Sequence, residues 1–201
     1  MSESKTRVYC SGALFNDKER EEMAQIAAAL EAQGFETFLP HRDGLEITPL
    51  ASMLVNLGVE NEQAHELWEK AIFSLDAYQV VRGCDAAVVN LNGRVPDEGA
   101  VAEAALAWSA GKVLVAYKDD PRSLYFGKDN PMVSGLFEFQ LYAGLPGVIS
   151  AIKAGLAEQG DQTKAVPTIE GKMNQALDLG AKIWGALQSP DGLLAVAKAL
   201  V

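Results

Sequence analysis

The chain predicts an α/β fold on a parallel sheet of five strands, followed by C-terminal helices. Short apolar stretches bounded by glycine or proline alternate with longer segments of helical period up to about Glu158. Strands that alternate with helices build a parallel sheet covered on both faces. At 201 residues, 49% hydrophobic and 22% charged, the chain holds one such domain with a full core.

Arg7 to Ser11 is the first short buried strand, ended by a turn at Gly12. Asn16 is placed to cap a helix running to about Gln33, with Met23, Ile26, Ala27 and Leu30 inward and Gly34 as its stop. Phe35 to Leu39 forms the second strand, halted by Pro40. From His41 to about Glu60 the signals are mixed, and a long loop with at most one short helix is expected; long ordered loops often serve function. A helix from about Asn61 to Arg82 leads into a third strand, Asp85 to Leu91.

Glu98 to Ala110 is helical and stops at Gly111, and Val113 to Tyr117 is the fourth strand. An irregular stretch runs to Gly135, then a fifth strand over Phe137 to Tyr142 and a helix from about Pro146 to Glu158. Residues 159–164 read as a polar linker, and Pro167 to Gln188 and Asp191 to Leu200 as two amphipathic helices. The expected division is an α/β domain over 1–160 and a helical extension over 161–201, packed on the domain or on a neighbouring subunit.

Lys and Arg total 17 against 27 Asp and Glu, a formal net charge of -10, and no basic cluster is present. Nucleic-acid binding needs such clusters, so no nucleic-acid partner is expected. No apolar run approaches a membrane span, and the N-terminus lacks the apolar core of a signal peptide, so a cytoplasmic protein is expected. Cys10 and Cys84 lie beside strands in apolar surroundings and read as reduced thiols.

A parallel sheet binds ligands at the carboxyl ends of its strands. Those ends carry Gly12, His41-Arg42-Asp43, Asn90 to Gly93 and Lys118-Asp119-Asp120. There is no P-loop, no three-glycine dinucleotide turn, no nucleophile elbow and no metal-ligand spacing around His41 and His65, so no cofactor and no metal are expected. Carboxylate chemistry remains, with Asp43, Asp76, Asp85, Asp97 and Glu103 in or near the cleft. Asp97 is a candidate N-cap after Pro96. Glu103 lies nearly two turns further on, with Gly99, Ala100, Leu106, Ala107 and Ala110 as helical neighbours and no charged partner among them. It is either a solvated surface glutamate or a carboxylate nucleophile or base with room for a ligand above it. Breaking a glycosidic bond through an oxocarbenium-like transition state uses a pair of carboxyl groups of this kind.

Val8-Tyr-Cys-Ser-Gly-Ala-Leu-Phe15, Phe38-Leu-Pro40, Cys84-Asp85, Pro96-Asp97 to Glu103, Gly111-Lys112 and Asn130-Pro-Met132 occur in one order over about residues 6–145. In these pieces the chain resembles the nucleoside 2-deoxyribosyltransferase family. The resemblance implies a flavodoxin-like three-layer sandwich and a double displacement that moves 2-deoxyribose between nucleobases. It implies Glu103 as nucleophile at C1′, Asp97 as a base-binding residue that helps shuttle a proton, and Tyr9 as the holder of Glu103. Gly12, Phe15, Asp76, Asn130, Met132 and His41 would bind substrate, a 2′-deoxynucleoside or free base, and the loop His41-Arg42-Asp43-Gly44-Leu45-Glu46, which also resembles family sequences, would border the base site. Family sites are often shared between subunits of a homo-oligomer, with Asn130 and Met132 reaching into a neighbour; Asn130 also fits a simple helix cap.

Two departures stand out. The family commonly places an aspartate eight residues before the position of Asp85, where this chain has Ala77; Asp76 is one residue earlier. One residue is about 100° of helix rotation, so Asp76 reaches the base only if the helix bulges or ends differently. The second departure is the tail beyond about residue 160. Two rival activities share the fold: hydrolysis of the N-glycosidic bond of nucleoside 5′-monophosphates, and nucleotide sensing without turnover. Ser11 is the one hydroxyl residue in Ser11 to Phe15, which favours unphosphorylated nucleosides. Arg94 is open to two roles, facing a phosphate or pairing with Asp97.

Overall fold

A computed structural model describes residues 5–123, 129–160 and 170–201. Five parallel strands, β1 (Arg7–Ser11), β2 (Glu36–Phe38), β3 (Ala86–Asn90), β4 (Val113–Tyr117) and β5 (Leu141–Tyr142), form one sheet in the order β2-β1-β3-β4-β5. The order reverses between β1 and β3, where Tyr9 pairs with Ala87 and Ser11 with Val89. A crevice opens beyond the strand ends at such a reversal.

The period-two alternation of the strands sends side chains to two separate cores. Val8, Cys10, Ala86, Val88, Val113 and Val115 pack beneath α1 (Asp17–Glu31) and α7 (Leu145–Gln159). Tyr9, Phe38 and Ala87 face the opposite core, with α3 (Leu50–Asn56), α4 (Asn61–Tyr78), α8 (Gly171–Leu187) and α9 (Leu193–Leu200). Beside it, α5 (Glu98–Ser109) lays Ala100 and Ala104 on Val89 and Ala116. This is the expected α/β, flavodoxin-like three-layer arrangement. Helix α1 starts at Asn16, whose side chain accepts the Glu19 N–H, and buries Met23, Ile26, Ala27 and Leu30 as the sequence predicts. Both cysteines are free and buried.

Three expectations are corrected. The stretch after His41 is more ordered than a loop with one helix: a single turn α2 (Pro40–Asp43) starts on Pro40, and α3 buries Leu50 and Leu54. Proline at the first helical position is preset for the turn, a signal outweighed in the sequence by the polar residues around it. The helix expected to Arg82 is α-helical only to Tyr78; Gln79–Gly83 form a π-turn, closed by the Cys84 N–H donating to the Gln79 carbonyl at 2.8 Å. The strand expected over Phe137 to Tyr142 is reduced to Leu141–Tyr142. Gly135–Phe137 form a 3₁₀ turn, and Glu138 and Phe139 have φ of 53° and 63°, the left-handed region that no strand uses. The stretch before it also contains a short helix, α6 (Pro131–Ser134).

Of the expected linker, residues 161–164 lie outside the described residues, as do 167–169 of the helix expected from Pro167. Helix α8 packs on α4 and α9 on α3. The approach of α8 to α4 is close: a Cβ on Gly180 would stand 2.0 Å from the Ser74 carbonyl oxygen. Among the described residues no helix is long and apolar enough to cross a membrane.

Candidate active site

Tyr9 and Ser11 alternate onto the same face of β1, beneath the small side chains of α5. Their hydroxyls meet Glu103 there. Tyr9 Oη donates to Glu103 Oε1 at 2.7 Å, and Ser11 Oγ to Oε2 at 2.5 Å. Both donors are buried and bond both carboxylate oxygens, which fixes the plane of the group. Burial pushes the Glu103 carboxyl up to about 7, opposed by the Ser11 and Tyr9 hydrogen bonds and reinforced by the charges of Glu46 and Asp97. Burial, with Asp76 and Glu103 nearby, raises the Tyr9 phenol well above its usual range, so Tyr9 remains a donor.

Glu103 opens on a cavity of about 520 Å³, large enough for a nucleoside-sized ligand. Helix α5 contributes Asp97, Gly99, Ala100 and Glu103, and Gly12 and Phe15 close one side. Helix α4 contributes Trp68, Ile72 and Asp76, a four-residue repeat that keeps all three on one stripe. Asp97 is the N-cap of α5, its Oδ2 accepting the Ala100 N–H at 2.8 Å. Glu46, on the loop between α2 and α3, completes the acidic set. The lining carries four carboxyl groups and no lysine, arginine or histidine.

Asp76 is 9% exposed, and its Oδ1 has no hydrogen-bond donor. Burial raises its carboxyl well above the usual range, with Glu46 and Glu103 adding to the shift. Burial raises the Glu46 carboxyl too, and neither of its oxygens has a hydrogen-bond partner. The π-turn accounts for the position of Asp76. Its wider turn absorbs one residue between α4 and Asp85, so Asp76, nine residues before Asp85, faces the cavity instead of solvent.

The extension reaches the underside of this site. Tyr9 stacks on Phe38 at 5.5 Å, Phe38 meets the edge of Trp184 from α8 at 5.8 Å, and the Arg7 guanidinium lies 5.4 Å from the Trp184 ring.

The family model described as nucleoside 2-deoxyribosyltransferase matches residues 8–169. The chain belongs to the nucleoside 2-deoxyribosyltransferase family. Membership carries deoxyribosyl transfer or a related glycosyl activity, with nucleosides and nucleobases as substrates. Among solved structures, a conserved protein from Enterococcus faecalis V583 is similar at a TM-score of 0.56 and 18% identity, over 76% of this chain and 100% of that one, which supports the fold. No curated protein matches the chain.

In this deoxyribosyltransferase-family chain, Gly12, Phe15, Asp76, Asp97 and Glu103 line one cavity, and Tyr9 sits behind it on Glu103. His41, Asn130 and Met132 are not among its lining residues. His41 sits on α2 next to Pro40, with a buried, unpartnered Nδ1, and burial followed by Arg20 and Arg42 lowers its pKa. Asn130 caps α6 by accepting the Met132 N–H at 2.9 Å, and Met132 is 81% exposed. Gly12 is demanded by packing as much as by ligand access: a Cβ there would stand 2.5 Å from Met23 Sδ and 3.0 Å from Asn90 Cβ.

Two of the carboxylates expected near the cleft lie elsewhere. Asp85 precedes β3, at the opposite end of the sheet, and accepts the Arg7 N–H at 3.0 Å. Asp43 accepts the Leu39 N–H and pairs with Arg42. Arg94 is exposed and makes no ion pair with Asp97. Ser11 escaped the sequence reading as a site residue, and Glu46 was given no role of its own there. Ser11 shares the strand face of Tyr9, a period-two signal that was available. Glu46 ends the loop that the resemblance sets beside the base site, and it lines the cavity there.

Proposed function

We propose that the protein transfers 2-deoxyribose between nucleobases by double displacement through Glu103. Glu103 attacks C1′ of a 2′-deoxynucleoside, the C1′–N bond breaks, and a glycosyl ester forms. A second base then attacks C1′ and releases the carboxylate; water in its place gives slow hydrolysis. The observation that carries this reading is a glutamate with both oxygens held by buried hydroxyls and no cation beside it, facing a nucleoside-sized cavity. Tyr9 and Ser11 hold the attacking group on line, so little reorganisation accompanies the attack. The negative lining favours the cationic character that develops on the sugar. Asp97, at the start of α5, binds the base.

The lining also supports an unphosphorylated substrate. A 5′-phosphate would bring negative charge to four carboxyl groups with no lysine, arginine or histidine to meet it. Asn130 and Met132 act, in this reading, in the site of a neighbouring copy, which makes a homo-oligomer the working form. Incubation of deoxyinosine or thymidine with free adenine, beside a parallel incubation of the deoxynucleoside monophosphate, tests the proposal. New deoxyadenosine is the expected product; release of deoxyribose phosphate from a monophosphate, or saturable binding without product, would replace it by hydrolysis or by sensing.

A further inference from the structure

Asn130 and Met132 are presented outward with no task inside their own chain. The Asn130 side-chain oxygen accepts the Met132 N–H at 2.9 Å, while its amide nitrogen donates to nothing among the described residues. Met132 is exposed, although the next residue, Val133, turns inward with Leu136 onto Ala100 and Ala104 of α5. The residue before them is buried instead. Asp129 Oδ1 accepts from Lys118 Nζ at 2.9 Å, and the two side chains are 2% and 7% exposed.

Lys118 stands one residue beyond β4, where its backbone N–H donates to the Tyr142 carbonyl at 2.9 Å. Its ammonium has three hydrogens to place. Besides Asp129, Nζ donates to the Leu91 carbonyl at 3.0 Å and to the Gly93 carbonyl at 3.3 Å. One side chain therefore ties the entry of α6 to the end of β3 and to the loop that leads into α5. A buried ion pair adds little net stability, because desolvation offsets the attraction. Removing one partner costs far more, since a charge is left behind without its counterpart. Such a pair holds its segments in one arrangement, and the segment held here carries Asn130 and Met132.

We propose that Lys118 and Asp129 are positioning residues that set Asn130 and Met132 in register with the Glu103 cavity of a neighbouring copy. The assignment rests on the shared-site reading above and goes beyond it, because it names what aims the shared segment. It also yokes two sites. Through Leu91 and Gly93 the same ammonium supports the loop leading to Asp97 and Glu103 of its own chain. Loss of Asp129 leaves those two hydrogen bonds in place, so it should damage the neighbour's site and spare the Glu103 of its own chain.

Complementation between copies separates this role from a structural one. Glu103→Ala is co-expressed, under distinct tags, with Asn130→Ala, Asp129→Ala or Asp129→Asn, and the mixed oligomers are assayed for exchange beside each variant alone. A displacement of about 1 Å can cost 10²-fold, so Asp129→Ala alone should lose about tenfold or more in kcat/KM, and Asp129→Asn less. Where each site draws on two copies, equal co-expression restores about a quarter of the sites, those joining Glu103 of the Asp129 variant to Asn130 of the Glu103→Ala copy. Recovery to that level with either Asp129 variant is the expected result. A defect confined to the variant's own fold would follow its Glu103 and stay unrepaired. Thermal melting reports folding, and Asp129→Asn, which keeps the shape, serves if Asp129→Ala melts early. Recovery with Asn130→Ala but with neither Asp129 variant, or wild-type kcat/KM in Asp129→Ala alone, would overturn the inference and leave the shared site standing. A fully active Asn130→Ala, or no recovery with it, would overturn the shared site and the inference together. A wild type without exchange would refute the transfer reading on which both depend.

Discussion

Glu103→Gln should make the protein more stable at pH 8 than wild type, by an amount the site geometry sets. In the folded chain the Glu103 carboxyl titrates near 7, against 4.5 for an unperturbed glutamate. Between those values the folded state keeps a proton that the unfolded chain has released, so stability falls as pH rises. The penalty is absent below about pH 4.5 and complete above about 7. A displacement from 4.5 to about 7 corresponds to roughly 3 kcal/mol. Glutamine has no charge to bury, and its amide oxygen still accepts from Tyr9. The difference in stability between the variant and wild type should therefore grow in the variant's favour by about 3 kcal/mol from pH 4 to pH 8. For a chain of this size that is roughly 6–12 °C in Tm. Paired thermal or urea melts across that range read it directly. A difference that stays constant with pH, or grows in favour of wild type, would refute the reasoning that burial dominates the Glu103 environment.

Other outcomes follow from the same geometry. Because attack needs the ionised carboxylate, kcat/KM for exchange should rise with pH to a plateau above about 7, and a flat profile from pH 5 to 9 would contradict it. Asp97→Asn keeps a good cap and should leave Tm nearly unchanged while lowering turnover, whereas Asp97→Ala should lose turnover and about 1 kcal/mol of stability as well. Equal exchange rates in wild type and Asp97→Asn would remove Asp97 from base binding. Gly180→Val should unseat α8 from α4, because its Cβ meets the Ser74 carbonyl oxygen and Tyr78 Cβ; a wild-type Tm would show that α8 is not docked there in solution. That substitution should also weaken exchange, since α8 carries the Trp184 that backs Phe38 and Tyr9.

Features legible in the sequence were those written in local periodicity. Met23, Ile26, Ala27 and Leu30 mark the inner face of α1, and Asn16 and Asp97 mark helix starts. The missed features depend on conformation that no short window specifies. The π-turn at Gln79–Gly83 contains no glycine until its end and reads as continued α-helix, yet it decides whether Asp76 faces solvent or ligand. The apolar residues of 137–142 look like a strand until Glu138 and Phe139 take left-handed backbone. Ser11 is the exception, since its place on the strand face of Tyr9 was legible by period two; only its contact with Glu103, 92 residues away, depends on the β1–β3 register and the placing of α5. Glu46 reaches the cavity beside the tight backbone at Gly44, in a loop that Trp68 Nε1 holds by donating to the Leu45 carbonyl at 3.1 Å, and neither residue looks functional in the sequence.

The central claim is that Glu103 forms a covalent bond to the sugar. A 2′-deoxy-2′-fluoroarabinosyl nucleoside slows both steps and allows the glycosyl-enzyme to accumulate, so that digestion and mass spectrometry can locate it. The account predicts the added mass on the peptide containing Glu103 and its loss in Glu103→Ala. An adduct on any other side chain would contradict it.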